Sequence, residues 1–308
     1  MKLLLLSDIH LLWHNPVCRL DDLVEEQFNK LGFVLDYAEK NNLTICQSGD
    51  FFDSPRSYYL LERVIELLRR YKKTIFAVFG GKRHDTYLYS NETRVATNLG
   101  ILERSGLVRI LGKDPVTTQI DVDIYGASFG EDIPVVGDED AFNILVVHAP
   151  INKDSIGIGE INAWDFLIAN EEYDLILCGD IHRKFSIKKG GGPGRRWIIN
   201  TGPMLRKTAD LYNFDHAPCF AVFDTDSRDF EWVEIPHKLA GEVISRDHID
   251  VKEDKRLLLD EFTDAINTEL DFTIDLVENM RVFMTENKGE LGGDTINILT
   301  ELINRKEE

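Results

Sequence analysis

The chain opens with KLLLLSDIH at residues 2–10, where a short apolar run ends in two polar side chains. Four consecutive leucines leave no polar face, and this predicts a strand that is buried on both sides. Asp8 and His10, which follow it, are separated by a single residue. Because residues i and i+2 of an extended segment point to the same side, both side chains can reach one ion.

Four further apolar runs end in the same kind of residue. Patterns with helical spacing lie between the earlier ones, as in Leu31, Val34, Leu35 and Ala38, and this alternation predicts an α/β fold. The carboxyl ends of strands form the ligand-binding edge in such folds. The runs and their endings are LTIC (43–46) with Gly49-Asp50-Phe51-Phe52-Asp53, TIFAV (74–78) with His84-Asp85, NILVV (143–147) with His148, and DLILC (174–178) with Gly179-Asp180-Ile181-His182.

These side chains form a predicted metal site. Aspartate and histidine without cysteine are ligands that suit manganese, iron or zinc. Asp50 follows a glycine turn and can bridge two ions, and two ions about 4 Å apart can activate water and hold both oxygens of a phosphoryl displacement. The alternative for any one residue is a capping or hydrogen-bonding role. The predicted ligands are Asp8, His10, Asp50, His148, Asp180 and His182.

The net charge of -19 argues against broad electrostatic binding of nucleic acid, but one segment differs. Residues 183–207 contain eight lysines and arginines and no acidic residue. They follow directly on His182, so they could contact a phosphate backbone that passes the site. The alternative is a solvated hairpin. The predicted DNA-binding residues are Arg183, Lys184, Arg195, Arg196, Arg206 and Lys207.

Other features of the sequence suggest an intracellular protein with two parts. The four cysteines are widely spaced, which predicts buried free thiols in a reducing compartment. The apolar runs are too short for a signal peptide or a membrane span. From residue 237 the sequence becomes acidic, with amphipathic patterns at 258–266 and 296–303. We therefore predict a main domain at 1–236 and a C-terminal helical region at 237–308.

The order of these motifs resembles the calcineurin-like metallophosphoesterases. That family carries D-x-H, G-D-x-x-D, G-N-H-D/E, a lone histidine and G-H-x-H, and four of the five are matched here with small changes. Within the family, GDFFD followed by SPR, and GDIHRKF followed by a basic hairpin and NTGPM, look like the SbcD-type DNA repair nuclease subunit. The resemblance covers roughly residues 1–236. It implies a four-layer α/β/β/α sandwich with a small α-rich C-terminal appendage.

The resemblance also implies roles, cofactors and partners. His84 would donate the proton to the departing oxygen, oriented by Asp85, and Asp53 would brace the metal loop. Two divalent ions are implied, with manganese expected, and the substrate would be DNA. The partners would be a second copy of the chain and an SbcC-like ABC-type ATPase on which the C-terminal helices dock. Asp8, His10, Asp50 and His182 would hold one ion, and Asp50, His148 and Asp180 the other.

Two positions depart from the family pattern. Asp180 stands where a histidine is common, and a carboxylate can still coordinate an ion. Arg83 stands where an asparagine usually binds the second ion, and a guanidinium has no acceptor atom. We predict that Arg83 turns outward and that both ions are retained. Two alternatives stay open: a phosphatase acting on small molecules or proteins, and a non-catalytic scaffold for the ATPase.

Overall fold

A computed structural model of the protein describes residues 1–81, 83–86, 94–119, 121–154, 157–249, 276–286 and 292–307. The chain forms two compact units, Met1–Ser245 and Arg246–Glu308. This division lies slightly later in the chain than the predicted one, and the assignment of separate functions to 1–236 and 237–308 stays a prediction.

The first sheet of unit one contains the N-terminal strand. Its strands are β1 (Lys2–Leu6), β2 (Thr44–Gln47), β3 (Ile75–Ala77), β4 (Val108–Ile110), β13 (Cys219–Asp224) and β14 (Asp229–Glu234). They lie in the order β14-β13-β1-β2-β3-β4. The strands β1 to β4 are parallel, whereas β13 pairs antiparallel with both of its neighbours. The carboxyl ends of four strands therefore meet at one edge of this sheet.

The second sheet has a related design. Its strands are β5 (Val116–Gln119), β6 (Val122–Ala127), β7 (Phe142–Ala149), β10 (Leu175–Asp180), β11 (Phe185–Lys189) and β12 (Arg196–Asn200). The order is β11-β12-β10-β7-β6-β5, with β6, β7, β10 and β12 parallel. A small separate pair joins β8 (Ile151–Asn152) to β9 (Ile161–Asn162).

Helices connect and flank the strands of these sheets. Within the described residues of unit one they are α1 (Leu23–Lys40), α2 (Tyr58–Leu68), α3 (Asn98–Arg104), α4 (Ala163–Ala169), α5 (Leu211–Asp215) and α6 (Ala240–Val243). The first begins where the Asp22 side chain accepts a hydrogen bond from the amide of Glu25, which satisfies a free N–H of the first turn. Its apolar face, including Leu31, Val34 and Leu35, is buried.

The leucines of β1 show why this sequence needs four layers. Leu3 and Leu5 belong to the apolar cluster that lies between the two sheets, together with Ile144 and Leu177. Leu4 and Leu6 belong instead to the cluster shared with α1 and α2. A third cluster joins the outer face of the second sheet to α4. The strand is therefore buried on both sides, and the predicted α/β/β/α sandwich is confirmed.

Unit two contains two helices in its described part, α7 (Leu276–Glu286) and α8 (Gly293–Glu307). Met280, Leu299 and Ile303 form a small buried cluster between them. The predicted amphipathic pattern at 296–303 lies within α8, whereas the one at 258–266 lies outside the described residues.

Two further sequence expectations concern cysteines and membranes. Cys18, Cys46, Cys178 and Cys219 are buried free thiols, as predicted. Across the described ranges, no helix combines the length and the apolar character needed to cross a membrane.

Candidate metal centre

Four of the six predicted ligands lie at or after strand ends in a backbone conformation that is rare for their residue types. Asp8, His10, Asp50 and Asp180 have φ angles of 42°, 50°, 52° and 96°. This left-handed region costs a residue with a β-carbon free energy, and such strain concentrates at functional sites. The sharp turns bring the ends of β1, β2 and β10 together at the edge shared by the two sheets.

The first predicted ligand group forms as expected: Asp8, His10, Asp50 and His182 each offer an atom within 4.8 Å of the others. The Nε2 atoms of His10 and His182 are 2.8 Å apart, and Asp50 Oδ2 is 3.5 Å from His10 Nε2. Asp8 Oδ1 accepts a hydrogen bond from the amide of Asp180, while its buried Oδ2 has no hydrogen-bond partner among the described residues. The unpaired oxygen and the converging imidazole nitrogens fit a cation.

The second predicted group is Asp50, His148 and Asp180. His148 Nδ1 lies 2.6 Å from the carbonyl oxygen of Ser48, so the ring donates from this nitrogen. In the neutral ring, Nε2 then carries a lone pair, and this atom is buried without a hydrogen bond from any described residue, 3.5 Å from one oxygen each of Asp50 and Asp180. A histidine held by one nitrogen while the other is free is typical of metal ligation. Asp50 belongs to both groups, which is the bridging position that the sequence predicts.

The electrostatics of the two groups also fit bound cations. Burial lowers the pKa of His182 to about 3 and also lowers that of His10, so both rings keep a lone pair at neutral pH. Burial raises the pKa of Asp8 well above its usual value. At His148 burial acts to lower the pKa, but Asp50 and the neighbouring carboxylates outweigh it and raise the pKa to about 10. Divalent ions bound to these carboxylates would balance their negative charge in place of the proton on His148 and would leave the ring neutral.

Two glycines allow the ligand loops to approach this closely. Gly49 has a φ of 89°, and a β-carbon there would overlap the His148 ring. A β-carbon on Gly80 would overlap the carboxylate and backbone of Asp50. Any side chain at either position would displace a predicted ligand.

His84 lies beside the first group, but its orienting partner differs from the prediction. Its Nδ1 is 2.8 Å from Oδ2 of Asp50. Asp85 is fully buried and accepts hydrogen bonds of 3.0 Å from the amides of Phe51, Phe52 and Gly80. Because these donors occupy its carboxylate, Asp85 does not orient His84 directly. It fastens the loop that carries Asp50 to the loop that carries His84.

Replacing Asp85 by alanine should therefore destabilise the fold. Three buried N–H groups would lose their acceptor, at roughly 1 to 3 kcal/mol each. We expect the free energy of unfolding in urea to fall by at least about 3 kcal/mol. Asp85→Asn keeps one acceptor oxygen and should lose less. An unfolding free energy of Asp85→Ala equal to that of the wild type would contradict this role.

Asp53 connects the centre to a lysine that lies far away in the sequence. Its Oδ1 is 3.6 Å from His10 Nδ1 and accepts a hydrogen bond from the ammonium of Lys207. Asp53 thus lies behind a predicted ligand, in agreement with the bracing role. The Lys207 contact was missed because no local pattern links residues 53 and 207. The Arg83 side chain is exposed, with a φ of 78°, in line with the predicted outward turn.

The basic segment divides into groups with different environments. Arg183 and Lys184 are exposed directly after His182, over the rings of Tyr212 and Trp232 at 5.3 and 5.1 Å. Arg206 is different, because it is only 6% exposed and donates to the backbone carbonyls of His216 and Lys238. Its guanidinium is used inside the protein, so the prediction that Arg206 contacts DNA is wrong.

Arg195 and Arg196 lie at the far end of the hairpin formed by β11 and β12. The register pairs Phe185 with Asn200 near the centre and Lys189 with Arg196 at the other end. Since β12 runs parallel to β10 and pairs Trp197 with Leu175, Arg196 lies level with Asp174, six residues from Asp180, or roughly 20 Å. Arg195 is paired with Asp229 at 2.8 Å. These two arginines are therefore too far from the centre to contact a phosphate that is bound there.

Comparisons with known proteins give the following matches. The calcineurin-like phosphoesterase family matches residues 1–184, which include all six predicted ligands. Among solved structures, TT1561 of Thermus thermophilus is 12% identical with a TM-score of 0.48, over 76% of this chain and 99% of that chain. The hypothetical protein PH1004 from Pyrococcus horikoshii is 13% identical with a TM-score of 0.41, over 82% of this chain and 93% of that chain. Curated proteins gave no match.

Proposed function

Since the chain belongs to the calcineurin-like phosphoesterase family, we propose that it is a metal-dependent phosphodiesterase that cleaves DNA in repair, recombination or degradation, like the SbcD-type nucleases it resembles. The observation that carries the proposal is the pair of ligand groups that share Asp50. These residues would hold two divalent ions, proposed to be manganese, and the ions would supply a nucleophile from water at neutral pH and neutralise charge that develops on the phosphoryl group.

The residues around the ligand groups have proposed roles in the reaction. The His84 ring lies 4.6 Å from that of His10 by centroid distance, and Asp50 fixes it through Nδ1. Burial lowers the pKa of His84, but Asp50 outweighs burial and raises the pKa above its usual value. This shift favours the protonated ring, which is the form that can donate a proton to the departing oxygen. His148 and Asp180 would hold the second ion together with Asp50.

DNA as the substrate is supported by the two exposed cations after His182. Arg183 and Lys184 project from the same turn as this predicted ligand, so a phosphate next to the reacting one can reach them. The neighbouring aromatic rings, Tyr212 and Trp232, restrict where these cations can go. A small phosphomonoester would have no second phosphate for them.

Neutralising Arg183 and Lys184 should weaken DNA binding and flatten its salt dependence. The slope of log affinity against log salt should decrease by roughly 0.7 to 0.9 for each phosphate that the variant no longer contacts. The double variant Arg195→Gln/Arg196→Gln is the matched control, because it removes the same charge at the far end of the hairpin. Binding is measured in a His84→Gln background, which limits cleavage.

The outcome of this comparison decides between substrates. We expect a reduced slope for the Arg183/Lys184 variant and an unchanged slope for the control. A wild-type slope in the Arg183/Lys184 variant would mean that the cations beside the centre do not contact the DNA backbone. Cleavage of phosphomonoesters with DNA left intact would favour the alternative of a phosphatase, and no hydrolysis with bound manganese would favour the scaffold.

The same resemblance extends the proposal to the oligomeric state, the cellular compartment and the partner protein. We propose a homodimer inside the cell and an SbcC-like ABC-type ATPase as partner. Docking on this ATPase is assigned to the C-terminal helices α7 and α8. The four buried free thiols are in keeping with a reducing compartment. Co-purification of the ATPase with the full chain, and its loss on deleting residues 246–308, would test the partner.

A further inference from the structure

Lys207 is a cation of the metal centre that lies on a different segment from all six predicted ligands. It follows Arg206, yet the two side chains are used differently. The guanidinium of Arg206 is bound to backbone carbonyls inside the protein. The ammonium of Lys207 reaches Asp53, beside His10, and its side chain is 23% exposed. Lys207 thus faces the centre and is partly open to solvent, whereas Arg206 is not.

The ammonium of Lys207 has capacity for a further ligand. A lysine carries three N–H donors. Asp53 takes one, and the described residues provide no second hydrogen-bond acceptor for the ammonium. Two donors therefore point from the edge of the centre without a partner in the described part of the chain.

Lys207 lies on the His84 side of the centre. Asp53, to which it is bound, offers an oxygen within 4.8 Å of ring nitrogens of both His10 and His84. The positive charge of Lys207 is close enough to act toward lower pKa values at His10, His84 and His182. This is the side from which the proposed proton donor approaches the departing oxygen.

The segment around Lys207 is fixed to the ligand loops. The amide of Met204 donates to the carbonyl of Asp8 at 3.2 Å. The Lys207 carbonyl accepts from Cys18 Sγ at 3.2 Å, and the Arg206 carbonyl accepts from the Arg19 guanidinium at 3.1 Å. The position of the ammonium relative to the first ligand group is therefore set before any substrate binds, as an efficient phosphate-binding residue requires.

We propose that Lys207 binds an oxygen of the reacting phosphate group on the His84 side of the centre, held in place by Asp53. The inference rests on the proposed phosphoesterase centre but not on DNA as the substrate. It gives Lys207 a different task from Arg183 and Lys184, which are assigned to a neighbouring phosphate. A fixed cation here attracts the anionic substrate and repels divalent ions, so its removal should lower the affinity for phosphate without lowering the affinity for divalent ions.

The test compares phosphate and metal binding in Lys207→Met. The probes are inorganic phosphate, bound to the manganese-loaded protein, and manganese itself, both followed by calorimetry. We expect phosphate affinity to fall roughly 10- to 100-fold, because one charge-assisted hydrogen bond is removed. Manganese affinity should stay the same or increase. Lys207→Arg should retain most of the phosphate affinity, and Lys207→Gln serves as a second neutral variant.

Lys188→Met is the matched control. This lysine belongs to the same basic segment, but it is on β11 and its ammonium lies over the ring of Trp197, which is on β12. This variant should change neither affinity. Wild-type phosphate affinity in Lys207→Met and Lys207→Gln would overturn the proposal. Parallel losses of phosphate affinity, manganese affinity and stability would also overturn it, since they would indicate a purely structural ion pair. Phosphate binding through Lys207 with DNA left uncleaved would reject the nuclease function alone.

Discussion

Asp50→Ala is expected to lose both bound metal and hydrolysis. Asp50 is the residue common to the two ligand groups, and it also fixes His84 through a 2.8 Å contact with Nδ1. Losing a residue that only supports a ligand costs roughly 10- to 100-fold in metal affinity. Losing a shared anionic ligand should cost more, so we expect a decrease of at least about 10³-fold. Metal content after dialysis against manganese, and activity on linear DNA, are the measurements.

Asp53→Ala is the matched control for this variant. It removes a carboxylate from the same loop, but one that faces His10 Nδ1 and lies outside the two groups that share Asp50. Its metal affinity should fall only about 10- to 100-fold. If Asp50→Ala binds as much manganese as the wild type, the assignment of both groups is wrong. Equal losses in the two variants would mean that Asp50 is not shared.

His84→Gln is expected to keep its metal and to lose turnover by roughly 10²- to 10⁴-fold, because only proton donation is removed. A glutamine amide can still donate a hydrogen bond toward Asp50, but it cannot deliver a proton to the substrate. Metal content should therefore equal that of the wild type. Single-turnover cleavage of DNA in excess manganese measures the chemical step.

A substrate with a better leaving group provides the control for His84. The aryl oxide released from bis(p-nitrophenyl) phosphate needs little protonation, so His84→Gln should be impaired much less on it than on DNA. Loss of metal from this variant would count against the role of His84 as the acid. Equal impairment on both substrates would point instead to a role in holding the phosphate.

The fold could be predicted because its signals are local. The run of leucines at 3–6 has no polar face, and the structure places alternate residues in clusters on opposite sides of the strand. The strands predicted at 143–147 and 174–178 are present as Phe142–Ala149 and Leu175–Asp180. Short strands with weaker apolar patterns, such as β4 and β5, have no comparable signal, since their pairing depends on neighbours that lie elsewhere in the chain.

The composition of the metal centre could be predicted for a related reason. Each predicted ligand lies at or just beyond the carboxyl end of a strand, and parallel strands bring such ends to one edge. This argument needs only the positions of the strands. It says which residues reach the edge, but not which atoms meet there. The structure adds that His148 Nε2 and Asp8 Oδ2 have no hydrogen-bond partner among the described residues, and that two ligand groups share Asp50.

The sequence patterns alone therefore determined the α/β alternation and the set of polar residues at the sheet edge, because periodicity and strand ends are properties of short segments, whereas the four-layer sandwich was implied by the resemblance to a known family. Tertiary structure decided the partners of those residues. Asp50 rather than Asp85 fixes His84, Lys207 reaches Asp53, and Arg206 is turned inward. Each of these contacts depends on how separate loops approach one another in space. Arg206 and Lys207 are neighbouring cations and look alike in the sequence. Their roles differ because the fold surrounds them with different acceptors, backbone carbonyls for Arg206 and the Asp53 carboxylate for Lys207.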